Sequence, residues 1–274
     1  MTHNDALTSF ARETFTWGDT SREVYVQGQG PGVLIVHEVP GITPEVAQFA
    51  QEVAAGGFTV ALPSLFGTPG RARSPTYVAA SLAEACVRQE FFAFARHQSS
   101  PITDYLRALG RQLHERCGGP GIGFVGMCFT GNFALAMMAD PTVLVPVLSQ
   151  PSLPLGVSPW HSRALHASPE QLEAGRSHAQ RLGCRPIALR FTGDTMVPAG
   201  RFRALRETFG EHIELVEIDS SIGNPHGIVP WAHSVLTNDR DATPGHPTQR
   251  AFERIMGLLR ERLRGEVDAS DETC

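Results

Sequence analysis

Short apolar runs and longer stretches of helical spacing alternate along most of the chain. Glu23-Val24-Tyr25-Val26 alternates polar and apolar like a strand, and the turn Gly28-Gln29-Gly30-Pro31-Gly32 leads into the unbroken run Val33-Leu34-Ile35-Val36. A run of that kind suits a strand buried on both faces. Pro44 to Ala55 then places Val46, Phe49, Ala50, Val53 and Ala54 at helical spacing and stops at Gly56-Gly57, a C-terminal signal. Phe58 to Leu62 reads as the next strand. Two helical stretches, 77–96 and 102–116, are separated by Ser99-Ser100-Pro101. The spacing beyond them predicts strands over 121–125, 143–148, 187–191 and 213–218. Helices are predicted over 130–138, 169–182, 200–209 and, as a closing amphipathic element, 249–264.

Strands alternating with helices imply the α/β class: a mostly parallel, twisted sheet with helices on both faces and right-handed crossovers. No repeat, charge block or low-complexity linker divides the chain, so one domain is expected over residues 15–265. It is flanked by a flexible N-terminal arm (1–14) and an acidic C-terminal tail (266–274). Ligands of such sheets sit at the carboxyl ends of the strands, which directs the search for chemistry to the loops that follow them.

Composition narrows the choices. All 23 basic residues are Arg, which removes lysine Schiff-base chemistry and a P-loop lysine from consideration. A net charge of −5 gives no footprint for nucleic acid. The cysteines, at 86, 117, 128, 184 and 274, are odd in number and form no CxxC pair, so neither a disulfide scaffold nor structural zinc is expected. Residues 1–20 lack the basic and apolar regions of a signal peptide, and no apolar run approaches the roughly 18 to 20 residues of a membrane span. The expectation is a cytoplasmic protein without metal, cofactor, nucleic-acid or membrane partner.

Three strand ends carry the sharpest chemical signals. Gly126-Met127-Cys128-Phe129-Thr130-Gly131 joins a predicted strand to a predicted helix. A nucleophile elbow needs a small residue two places before its nucleophile, and Gly126 supplies it. Cys128 would then stand at a helix N-terminus, where the dipole favours a thiolate. The usual elbow also has Gly two places after the nucleophile, where this chain has Thr130. Thr192-Gly193-Asp194 puts a carboxylate at the end of a later strand, where the acid of a catalytic triad would orient a histidine. The loop after the last strand offers two candidate bases, His226 and His233. Glu38, directly after the first buried strand, is costly to bury without a partner or a task. The backbone N–H groups of Val39 and Phe129 are placed to form an oxyanion hole. Trp231 beside His233 reads equally as a pocket wall or a core residue.

His37-Glu38-Val39-Pro40-Gly41, the helix after it and Gly56 to Leu65 resemble the opening of the dienelactone hydrolases. Gly126-x-Cys128, Gly193-Asp194 with Val197-Pro198, and Ala232-His233-Ser234 are similar to that family's later motifs, so the resemblance spans roughly residues 20 to 262. It implies a single-domain α/β-hydrolase fold and a Cys128, His233, Asp194 triad, with Glu38 as an auxiliary carboxylate that helps generate the thiolate when substrate binds. It also chooses His233 over His226, because the family's catalytic His precedes a Ser. Two departures bear on the substrate. Thr237 stands where the best-known members carry an Arg that holds the substrate carboxylate, and Arg88 only approximates a second such Arg.

The expected activity is therefore hydrolysis of a small-molecule activated ester or enol-lactone through a covalent acyl-enzyme. Two other readings keep the same fold. One is a ligand-binding or redox-sensing protein in which Cys128 is an oxidisable thiol, though a sensor needs neither Asp194 nor His233. The other is an acyltransferase to an acceptor other than water.

Overall fold

The computed structural model describes residues 5–87, 101–152, 163–165, 167–182 and 184–266. Eight strands form one sheet: β1 (Ala11–Trp17), β2 (Thr20–Gln27), β3 (Gly32–Val36), β4 (Thr59–Pro63), β5 (Ile122–Met127), β6 (Val143–Ser149), β7 (Ile187–Phe191) and β8 (Glu214–Ile218), in the order β1-β2-β4-β3-β5-β6-β7-β8. The pairs β1–β2 and β2–β4 are antiparallel, and every later pair is parallel. The helices are α1 (Pro44–Ala55), α2 (Pro75–Val87), α3 (Pro101–Cys117), α4 (Phe133–Met137), α5 (Pro169–Leu182), α6 (Ala199–Phe209) and α7 (Pro247–Arg264).

The unbroken apolar runs are explained by burial on two faces. Successive residues of a strand point to opposite sides. On β3, Leu34 and Val36 join a core with Tyr105, Leu106 and Leu109 of α3 and Phe133 of α4. Val33 and Ile35 join a second core with Val46, Phe49 and Val53 of α1 and Ile255 and Leu259 of α7. The sheet is thus covered on both faces, as the alternation of elements implies. Thr43 starts α1 by accepting the Val46 N–H, with Pro44 in the first turn, where its missing N–H costs nothing.

The structure departs from the sequence reading in three places. Residues 11–14, expected in a flexible arm, belong to β1 and pair with Glu23 to Val26 of β2. That hairpin strand is exposed along nearly its whole length, so it carries no apolar pattern to reveal it. The expected helix over 130–138 is a 3-10 turn, Cys128–Asn132, followed by the short α4. The closing helix, expected from 249, begins at Pro247, with the His246 side chain as its cap. The second half of the helix expected over 77–96 and the tail beyond 266 lie outside the described residues. No helix among the described residues is long and apolar enough to cross a membrane.

Candidate active site

The candidate residues all follow the carboxyl ends of parallel strands: Glu38 after β3, Cys128 after β5, Asp194 after β7 and His233 on the loop after β8. The Cys128 backbone has φ +57°, a left-handed conformation that costs a non-glycine residue energy and persists only where the surroundings enforce it. Those surroundings are visible. A Cβ on Gly126 would stand 2.3 Å from the Thr130 carbonyl oxygen, so the turn closes only on glycine. Thr130, the departure from the usual elbow, is fully buried. Its hydroxyl oxygen accepts the Met127 N–H at 3.0 Å and lies 3.0 Å from the Val36 carbonyl, to which it can donate. It fastens the elbow to the end of β3. The close approach to the next strand falls to Gly131, where a Cβ would meet the Ser149 carbonyl oxygen at 2.9 Å.

Behind the elbow, His233 Nδ1 lies 2.6 Å from Asp194 Oδ2. Asp194 Oδ1 accepts the Met196 N–H at 2.9 Å, which fixes the carboxylate. The His233 loop is held by Asp239, whose Oδ2 accepts the N–H groups of His233 at 2.9 Å and Ser234 at 2.8 Å. His233 Nε2 is buried and makes no hydrogen bond of ordinary geometry, but the Cys128 sulfur is near enough to act on the ring. Burial opposes the imidazolium. It is outweighed by the neighbouring Cys128 sulfur, by the hydrogen bond to Asp194 and by the Asp194 charge, so the His233 pKa stands well above the ordinary value. A cysteine, a histidine and a carboxylate are the residue types of a nucleophile, a base and the acid that orients it. His226, the other candidate, is exposed and stacks edge-on against His246.

Glu38 is 2% exposed. Its carboxylate accepts hydrogen bonds from the Ser234 hydroxyl at 2.8 Å, Gln150 Nε2 at 3.2 Å, Asn238 Nδ2 at 3.4 Å and the Thr237 hydroxyl. All four donors are neutral. Thr237, expected at a substrate-carboxylate position, is instead buried against Glu38. The Ser149 hydroxyl donates to the Gln150 amide oxygen and so turns the amide nitrogen toward Glu38. His37 is locked in the same layer. Its Nδ1 meets the Glu38 carbonyl and its Nε2 accepts the Leu65 N–H, both at 3.0 Å, a pairing that assigns the neutral Nδ1–H tautomer. Burial pushes its pKa down to about 4, with the Arg22 charge acting in the same direction and the hydrogen bond to Glu38 opposing.

Val39 and Phe129 adjoin Glu38 and Cys128, and both pack against the core. Trp231 is 79% exposed, which excludes the core role. Arg88 lies outside the described residues. Among the described residues, no group of three or more His, Cys, Asp or Glu side chains is placed to hold a metal ion. Sequence reasoning passed over Asp239, Gln150, Asn132, Ser152 and the buried Arg201. Arg201 donates to the carbonyls of Pro151 and Ala164; burial lowers its pKa to about 10 while the Asp194 charge holds it up. None of these five sits in a motif of its own, and only the short interval from His233 to Asp239 is a local signal.

Residues 21–234 match the model of the dienelactone hydrolase family. No curated protein matches the chain. Among solved structures, a Klebsiella pneumoniae protein assigned as a dienelactone hydrolase superposes with a TM-score of 0.60 at 13% identity, over 92% of this chain and 98% of its own. A dienelactone hydrolase-like promiscuous phosphotriesterase from metagenomic libraries gives 0.57 at 14% identity, over 93% of this chain and 98% of its own. A dienelactone hydrolase of Anabaena variabilis gives 0.56 at 15% identity, over 93% and 98%. At such identities the likeness shows the α/β-hydrolase fold.

Proposed function

This chain belongs to the dienelactone hydrolase family, and from that premise we propose that it hydrolyses activated esters or enol-lactones with Cys128 as nucleophile. The observation that carries the reading is the 2.6 Å hydrogen bond between His233 and Asp194, set behind a cysteine held at φ +57° on the elbow. In this mechanism the Cys128 thiolate attacks the carbonyl. The N–H groups of Val39 and Phe129 hold the oxyanion, and collapse expels the alkoxide or enolate, protonated by His233. Water, deprotonated by His233, then releases the acid from the thioester. Asp194 keeps the imidazole in the required tautomer. A thiol nucleophile favours substrates with a good leaving group, which an enolate is. Glu38 acts as the auxiliary carboxylate of the site, and the exposed Trp231 is assigned to substrate contact.

With Thr237 committed to Glu38, the reading favours neutral acyl groups over carboxylated ones. The test compares kcat/KM for dienelactones, neutral lactones and aryl esters in the wild type and in Cys128→Ala. Loss of hydrolysis in a folded Cys128→Ala variant and a preference for neutral substrates are expected. Full activity in that variant would sink the cysteine mechanism.

A further inference from the structure

Ser152 lies three residues beyond the end of β6, with its hydroxyl oxygen 3.0 Å from Cys128 Sγ. The residue is 2% exposed. Its main chain is tied to the elbow on both sides of that hydroxyl. The Ser152 N–H donates to the Cys128 carbonyl at 3.1 Å, and the Ser152 carbonyl accepts Asn132 Nδ2 at 2.7 Å. The same amide nitrogen donates to the Phe129 carbonyl at 3.1 Å. The preceding carbonyl, of Pro151, accepts the Arg201 guanidinium. These bonds hold the Ser152 backbone beside the elbow, with the hydroxyl within reach of the sulfur.

We propose that Ser152 is a catalytic residue of the cysteine mechanism, its hydroxyl donating a hydrogen bond to the Cys128 thiolate and holding it ready for attack. The inference rests on the reading of Cys128 as nucleophile. The direction of the bond follows from the partners. A buried hydroxyl places its proton on an acceptor, and among the described residues the sulfur is the partner that Ser152 Oγ has. The Ser152 hydroxyl is thus the donor that reaches the sulfur at hydrogen-bond distance, beside the buried His233 ring. The hydroxyl keeps its proton throughout, and no bond to Ser152 forms or breaks. The charged groups on the elements packed here are His233 and Asp194, Arg201 on α6, and Glu38 after β3.

The experiment measures alkylation of Cys128 by iodoacetamide as a function of pH in the native protein, with the site of labelling read by mass spectrometry. A hydrogen bond to a charged group is worth enough to move the midpoint of that curve by about one pH unit. Ser152→Ala should therefore shift it upward by about that much and slow labelling about tenfold on its acid side. Ser152→Thr, which keeps the hydroxyl, should stay near the wild-type midpoint. If Ser152→Ala does not fold, Ser152→Gly carries the same expectation of an upward shift. A midpoint unchanged or lowered in the variant lacking the hydroxyl overturns the assignment. Hydrolysis by Cys128→Ala separates the two readings. Activity surviving there removes the cysteine mechanism itself, whereas a dead Cys128→Ala beside superimposable wild-type and Ser152→Ala curves removes only the role of Ser152.

Discussion

His233 Nδ1 and Asp194 Oδ2 stand 2.6 Å apart, joining two loops that share no sequence proximity. Burial makes the pair strong, because neither side chain has water to compete for the bond. Asp194→Asn should keep the fold and lower kcat for an activated ester by about 10³- to 10⁴-fold, since the amide favours the wrong imidazole tautomer. Steady-state rates beside a circular-dichroism spectrum check it. A loss below tenfold would mean that Asp194 does not orient the base.

The elbow should tolerate changes at Thr130 according to the hydroxyl alone. Thr130→Ser keeps the acceptor for the Met127 N–H, whereas Thr130→Val leaves that N–H buried and unpaired, at a cost of about 1–3 kcal/mol. Urea unfolding of the two variants gives the comparison. Equal stabilities would contradict the fastening role.

Glu38 accepts four hydrogen bonds from neutral side chains, and an amide would set its own N–H₂ against one of those donors. Glu38→Gln is expected to lose about 1–3 kcal/mol, and Thr237→Val a similar amount, through a charged oxygen left short of a partner. Because the two changes act on one network, the double variant should lose less than the sum. Strict additivity in a double-mutant cycle would count against a shared network.

His37 supplies a pH dependence of stability. Its pKa is about 4 in the folded protein and about 6.5 unfolded, so between those values the unfolded chain binds a proton that the folded chain refuses. The contribution is whole above pH 6.5 or so and drains as pH falls toward 4, amounting to about 3 kcal/mol. Unfolding free energies measured at neutral pH and near pH 4 should differ less in His37→Gln than in the wild type. An unaltered difference would mean that His37 is not the group responsible.

The fold was readable wherever burial on two faces left an apolar signature. Val33 to Val36 and Ile187 to Phe191 reveal their strands because every side chain there is buried. Ala11 to Trp17 does not, because it pairs through its backbone while its side chains, Phe15 apart, are exposed. The candidate residues were readable for a related reason. A strand that ends in a tight turn marks its own carboxyl end, so Glu38, Cys128 and Asp194 could be found from the chain around them.

The sequence alone therefore determined the class of fold and which strand ends bear the candidate groups, since periodicity and turn chemistry are local properties. Only the tertiary structure decided which of those groups meet. It seated His233 against Asp194 and left His226 exposed. It gave Thr237 to Glu38, and it brought Ser152, Asn132 and Asp239 to the elbow and the His233 loop. Those contacts arise from the order and register in which the strands pair, and that information belongs to no segment of the chain by itself.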